Sequence, residues 1–373
     1  MNNDKKQIFW LNSIKGIACW IVFLGHFQED YGYVPFLRYV LAMPVFGFLT
    51  NGTMALNVFY IISAYLLAKS LFENGDIIKN SGRGIVKRYF RLSLPLLLMN
   101  MTVFLLQLFK LNSDRIYGMF TEKYNLLDVF KSAFVDTMLL GDSKFNSMMW
   151  MMKTLFLGFI FTTMVCIIIC KLSYTKKLIF MIAITVLFTL TDVGVATMMY
   201  GVLLYVLQSE NAFDRIPVKV AWPVGIVILI ISLLHSSFAI KISNDYLYYT
   251  AIHNMPRLKI PFGAFWIHDW IAAMGIMSAL FICAGLRSII DRKWIAATGS
   301  ICFPMFLFSR VWEASFGELA CRIFTGIRGN EADGVKASLL FTILISVGFS
   351  ILYVKFIEPK INKLANIILT KLL

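Results

Sequence analysis

Apolar runs close to twenty residues long recur along nearly all of this chain, and that recurrence limits what it can fold into. A bilayer core about 30 Å thick takes about 20 residues of helix, and backbone in lipid must satisfy its own hydrogen bonds. Candidate spans lie at 9–27, 45–71, 92–110, 148–170, 177–191, 194–208, 220–240, 262–286, 294–312 and 335–357. The expected fold class is therefore all-α, a polytopic membrane helix bundle of about ten transmembrane helices. Composition agrees: 59% of the 373 residues are hydrophobic and 15% charged, with a mean hydropathy of +0.74. That is far too apolar for a water-soluble domain. The fifth and sixth spans are separated only by Thr191, Asp192 and Val193, which predicts a tight helical hairpin. The first run lacks a small-residue cleavage site and reads as a retained helix. With no repeat, low-complexity tract or linker, residues 1–373 read as a single membrane domain.

Lysine and arginine positions orient the spans. With the N-terminus inside, 19 of them fall in inner segments and 11 in outer ones, five of the latter in the long 110–147 loop. Long loops count little in this rule, so both termini are expected in the cytoplasm. The net charge of +14 has its source in these inner segments, and no nucleic-acid motif accompanies it. Five of the six cysteines (Cys19, Cys166, Cys170, Cys283, Cys302) lie in apolar runs and Cys321 near an outer loop. That arrangement offers neither a disulfide framework nor a metal-ligand spacing. The 110–147 loop mixes charges with aromatics and ends in a helix-like run, Leu126 to Leu140, suited to capping the outer surface.

The first span carries Lys15 and His26 within otherwise apolar sequence. Eleven residues bring His26 to within about 20° of Lys15, roughly 16 Å further along one helix face. Spacing alone serves two readings. Lys15 snorkels to the headgroups and His26 caps the far end, or the two form a functional pair at membrane depth.

The string Asn12-Ser-Ile-Lys15-Gly16-Ile-Ala, followed by Gly25-His26, resembles the opening motif of the integral-membrane acyltransferase family 3. In that family a basic residue, ten spacers and a histidine sit on the first membrane helix. Gly52 to Tyr65, closing on Ser63 and Ala64, is similar to the second signature, and also fits close helix packing by small residues. Lys87-Arg88-Tyr-Phe-Arg91-Leu-Ser-Leu-Pro95 resembles the paired-arginine motif. Arg88 and Arg91, three apart, share a helix face, and guanidinium forks suit phosphate oxygens. Lys79, Arg83 and Lys87 read as positive-inside decoration. Trp150-Met-Met-Lys153 opens the fourth span where relatives follow tryptophan with a carboxylate; here Lys153 is the ionisable residue. Gly299 to Arg310 resembles the late motif with Ser309 in the place of a common histidine, and Tyr353 with Glu358-Pro359 resembles the family's end.

The resemblance implies a multi-pass O-acyltransferase of the cell inner or plasma membrane, surrounded by lipid. It implies acyl-CoA, with acetyl-CoA foremost, as cytoplasmic donor and a glycan or glycolipid of the cell envelope as acceptor. Its donor phosphates would meet Arg88 and Arg91 with Lys15 nearby, and His26 would serve as general base or transient acyl carrier. Glu29 and Asp30 stand three and four residues on, where a continuing helix would let them orient the His26 ring. His235 reads as bonded to a neighbouring helix and His253 as solvated. His268, beside Asp269 and between Trp266 and Trp270, reads either as part of an interfacial aromatic belt or as an outer acceptor site. Two other classes remain open from sequence. A glycan or lipid transporter would line its path with Lys15 and His26. A catalytically idle assembly partner would account for Ser309 and the missing carboxylate after Trp150.

Overall fold

A computed structural model describes residues 3–41, 43–73, 77–111, 116, 119–120, 122–239 and 265–372. The fold is all-helical, 86% helix and without strands among these residues. Its principal helices are α1 (Asn3–Tyr31), α2 (Gly52–Glu73), α3 (Ile77–Leu108), α4 (Met151–Ile169), α5 (Tyr174–Thr189), α6 (Val193–Ser209), α7 (Val218–Ala239), α8 (Phe265–Ile282), α9 (Ala284–Ile290), α10 (Lys293–Ser300), α11 (Cys302–Trp312), α12 (Glu318–Arg328), α13 (Glu331–Leu352) and α14 (Glu358–Leu372). Among the described residues, five helices are long and apolar enough to cross a membrane, or up to seven if each bent pair counts as one span. At 16 and 17 residues, α5 and α6 are short for spans of their own, and they pack together as a hairpin.

The helices gather into two compact units. The first takes α1 to Gly25, then 37–77 and 161–299. Its pairs α7–α8 and α2–α6 pack closely, with Gly201 of α6 against the Ile61 carbonyl and Ala64. Phe281 is buried, its ring centroid 5.2 Å from that of Trp10 and 5.1 Å from that of Tyr65. α1 meets α10 with almost no side chain between them, since a Cβ on Gly299 would fall 1.9 Å from the Asn12 carbonyl oxygen. Small residues permit such backbone contact between membrane helices.

The second unit takes 26–36, 78–160 and 300–373. Phe308, Trp312, Phe349 and Tyr353 tie α11 to α13, with the Phe308 and Phe349 ring centroids 4.6 Å apart. From Glu331 to Lys371 the chain runs as one 41-residue helix through a π turn at Tyr353–Ile357. Pro359 explains the turn: without an N–H it cannot bond the Lys355 carbonyl, so the local pattern slips.

Three expected spans are interrupted. The 45–71 run is a 3-10 turn, Pro44–Thr50, followed by α2. Asn51 stops the first by accepting the Met54 N–H with its side chain, a capping contact. The 262–286 run bends by 103° between α8 and α9. There Cys283 is extended (φ −108, ψ 101) and Arg287 donates to the Phe281 carbonyl, so the backbone oxygen is satisfied. The 294–312 run bends by 64° at Ile301 and continues to Arg328. Pro304 fits because it falls in the first turn of α11, where its absent N–H has no bond to lose.

Candidate active site

In the second unit, α1 continues past the apolar run to Tyr31, which places Glu29 on the His26 face. Glu29 Oε2 lies 3.2 Å from His26 Nδ1. The imidazole side chain is 18% exposed and the carboxylate 65%, so a mostly covered ring leans on a wet acid. In the neutral ring, a carboxylate accepting at Nδ1 favours the tautomer with its hydrogen there, which leaves on Nε2 the lone pair a general base needs.

Asp30 does not share this task. It receives Arg310 Nη2 at 2.9 Å, and both side chains are 2% exposed. One turn on from Arg310, Glu313 is 1% exposed, and its Oε1 has no hydrogen-bond partner among the described residues. Glu313 opens a π turn, Glu313–Gly317, a local geometry that concentrates at functional sites. Ser309 is buried beside them.

Arg88 and Arg91 both lie on α3, as the paired motif requires. The Arg88 guanidinium covers the Phe159 ring at 5.6 Å, with no hydrogen-bond partner for Nε among the described residues. Arg91 Nη2 stands 4.0 Å from Glu358 Oε1, with both side chains exposed, so two matched motifs meet here. An exposed pair of this length is worth under about 1 kcal/mol, leaving Arg91 available to a phosphate. Lys153 donates to the Leu140 carbonyl at 3.4 Å.

The first unit holds the other candidates. Lys15 Nζ donates to Asn12 Oδ1 at 3.1 Å, so two residues of the opening motif bond to each other. His268 is held by a second imidazole and not by the carboxylate next to it in sequence. Its Nδ1 lies 2.9 Å from His235 Nε2, while the neighbouring Asp269 turns to Asn51 Nδ2, which also donates to the Ser236 carbonyl at 2.9 Å. Helix geometry is the reason: successive residues point about 100° apart, so a carboxylate at i+1 faces away from the imidazole, whereas one at i+3 meets it. Trp270 is half-buried and its Nε1 has no partner among the described residues. The Trp266 side chain and His253 lie outside the described residues.

Sequence reasoning missed the roles of Arg310 and Glu313; it expected His235 to bond to a neighbouring helix, as it does, without naming His268 as the partner. The first two carried the same signal as Lys15 and His26, an ionisable residue beside or within an apolar run.

Apolar helices of spanning length with ionisable groups folded into them define a helical membrane protein, and the histidine, carboxylate and paired arginines suit group transfer. Residues 8–357 match a family model described as an acyltransferase domain. The chain belongs to acyltransferase family 3 and is a membrane acyltransferase. No curated protein and no solved structure matches it.

Proposed function

We propose that this membrane acyltransferase is an O-acyltransferase of the inner or plasma membrane, with both termini cytoplasmic. It moves an acyl group, acetyl foremost, from cytoplasmic acyl-CoA to a sugar hydroxyl of a cell-envelope or exported glycan. The observation that carries this reading is His26: a largely covered imidazole whose Nδ1 meets Glu29, leaving Nε2 for a proton. His26 takes the proton of the sugar hydroxyl as its oxygen attacks the thioester carbonyl. The C–S bond then breaks, an ester forms, and the departing thiolate receives the proton from His26. A variant route has Nε2 attack the thioester carbonyl first, so that the C–S bond breaks and the thiolate leaves with the ring proton. The sugar oxygen then attacks the acyl-imidazole, the N–acyl bond breaks as the ester forms, and the hydroxyl proton returns to the ring. Arg88 and Arg91 hold the donor phosphates, Lys15 assists donor placement, and Trp266, His268 and Trp270 contact the acceptor.

The test is incubation of the purified full chain with acetyl-CoA labelled in the acetyl group and host envelope glycans. Label in the glycan, dependent on His26, is the expected result. Acetyl-CoA left intact by an active-folded preparation, or glycan moved across vesicles without acylation, overturns the reading.

A further inference from the structure

The last turn of α1 is fastened at two consecutive residues. Asp30 receives Arg310 from α11. Tyr31 Oη donates to Glu318 Oε2 of α12 at 3.1 Å and accepts from Ser338 Oγ of α13 at 2.8 Å. Asp30, Tyr31, Arg310 and Glu318 are all buried. Between the two fastening residues lies the π turn, Glu313–Gly317. In an unbroken α-helix, residues eight apart point about 80° apart. A π turn absorbs about one residue and returns them to within about 20°. Arg310 and Glu318 thus share a face and reach neighbouring residues of α1. Gly317 makes the approach of α13 possible, since a Cβ there would fall 2.3 Å from Thr342 Oγ1.

Burying these charges is costly, and buried ion pairs are weak evidence of stability; their best-attested use is fixing register. His26 stands one turn before Asp30, about 40° round the same helix. We propose that this two-point fastening is a positioning device for His26. Arg310 and Glu318 are positioning residues that set the rotation and height of the turn, so that Nδ1 meets Glu29 and Nε2 faces the reacting hydroxyl. The inference rests on His26 being the base of the proposed transfer.

The test compares wild type with Arg310→Gln, with the double Asp30→Asn/Arg310→Gln, and with Glu318→Gln, all in the full chain. It reads kcat, acyl-CoA KM, the pH–rate profile, and the rate at which diethyl pyrocarbonate modifies His26, located by mass spectrometry. The double variant removes both charges together and is expected to lose about 100-fold in kcat, the scale of an ångström-level misplacement, with acyl-CoA KM within about twofold. Arg310→Gln is expected to match the double, as members of one device do. The imidazole limb of the pH profile and the His26 modification rate should shift in both. If the Arg310 variants do not fold, Glu318→Gln leaves the Asp30–Arg310 pair in place and should show the same pattern at about tenfold in kcat. A folded variant with wild-type kcat, pH profile and His26 modification rate overturns the positioning role. Full transfer by His26→Ala instead overturns the base reading, while the His26 modification rates still report on the fastening.

Discussion

The two histidine sites look alike in sequence and differ in what holds the ring. His26 leans on the Glu29 carboxylate, whereas His268 leans on a second imidazole while Asp269 serves Asn51. A carboxylate compensates the imidazolium that forms when a base takes a proton. An imidazole partner shares one proton and resists a second, because two cations would then face each other at 2.9 Å. Electrostatics therefore favours His26 for proton transfer and leaves the His235–His268 pair suited to holding a neutral polar group.

Replacing each ring with alanine tests this contrast most severely. His26→Ala should lower kcat by about 10²- to 10⁴-fold, while His268→Ala should leave it within about threefold. The reverse outcome in acyl-transfer assays would invert the comparison.

The supporting contacts should rank in the same order. Arg310→Met removes the cation that faces the buried Asp30 carboxylate and should cost about 3–5 kcal/mol. Asn51→Ala removes neutral and part-charged hydrogen bonds in the other unit and should cost about 1–3 kcal/mol. Denaturant unfolding in mixed micelles measures both, and equal losses would erase the distinction between the two regions.

Donor binding sharpens the comparison from another side. Arg88→Ala or Arg91→Ala should weaken acyl-CoA binding by about 1.5–3 kcal/mol, the worth of a charge-assisted contact, and Arg83→Ala should not. Calorimetric titration decides it; an equal loss at Arg83 would mean a diffuse positive patch.

The smallest effect belongs to the aromatic flank of His268. Trp270→Ala should raise the acceptor KM by about three- to tenfold, the scale of one aromatic contact, and spare the acyl-CoA KM. An unchanged acceptor KM would remove this flank from the acceptor site.

Much of the architecture was legible, because bilayer thickness prints itself on the chain as apolar runs. The breaks were less so. Asn51, Cys283 and Ile301 interrupt those runs through particular backbone and side-chain contacts, which hydropathy does not register. At the site, Glu29 was legible because helical spacing places it on the His26 face. Arg310 and Asp30 are 280 residues apart, and nothing local in either neighbourhood announces the other. The π turns follow the same rule: Pro359 gave a cue for Tyr353–Ile357, while Glu313–Gly317 depends on where α1 and α13 stand.

The long C-terminal helix carries its own ruler. After Lys336 no charged residue occurs until Lys355, and nineteen residues of helix span about 28 Å, nearly the thickness of the hydrocarbon layer. The two lysines thus act as graduation marks for the opposite membrane faces. The helix runs on from Lys355 to Lys371, about 24 Å more, which the hydrocarbon layer has no room to contain. Spin labels stepped along this one rod would therefore read the immersion depth of the unit directly, changing from oxygen-accessible to water-accessible near Lys355.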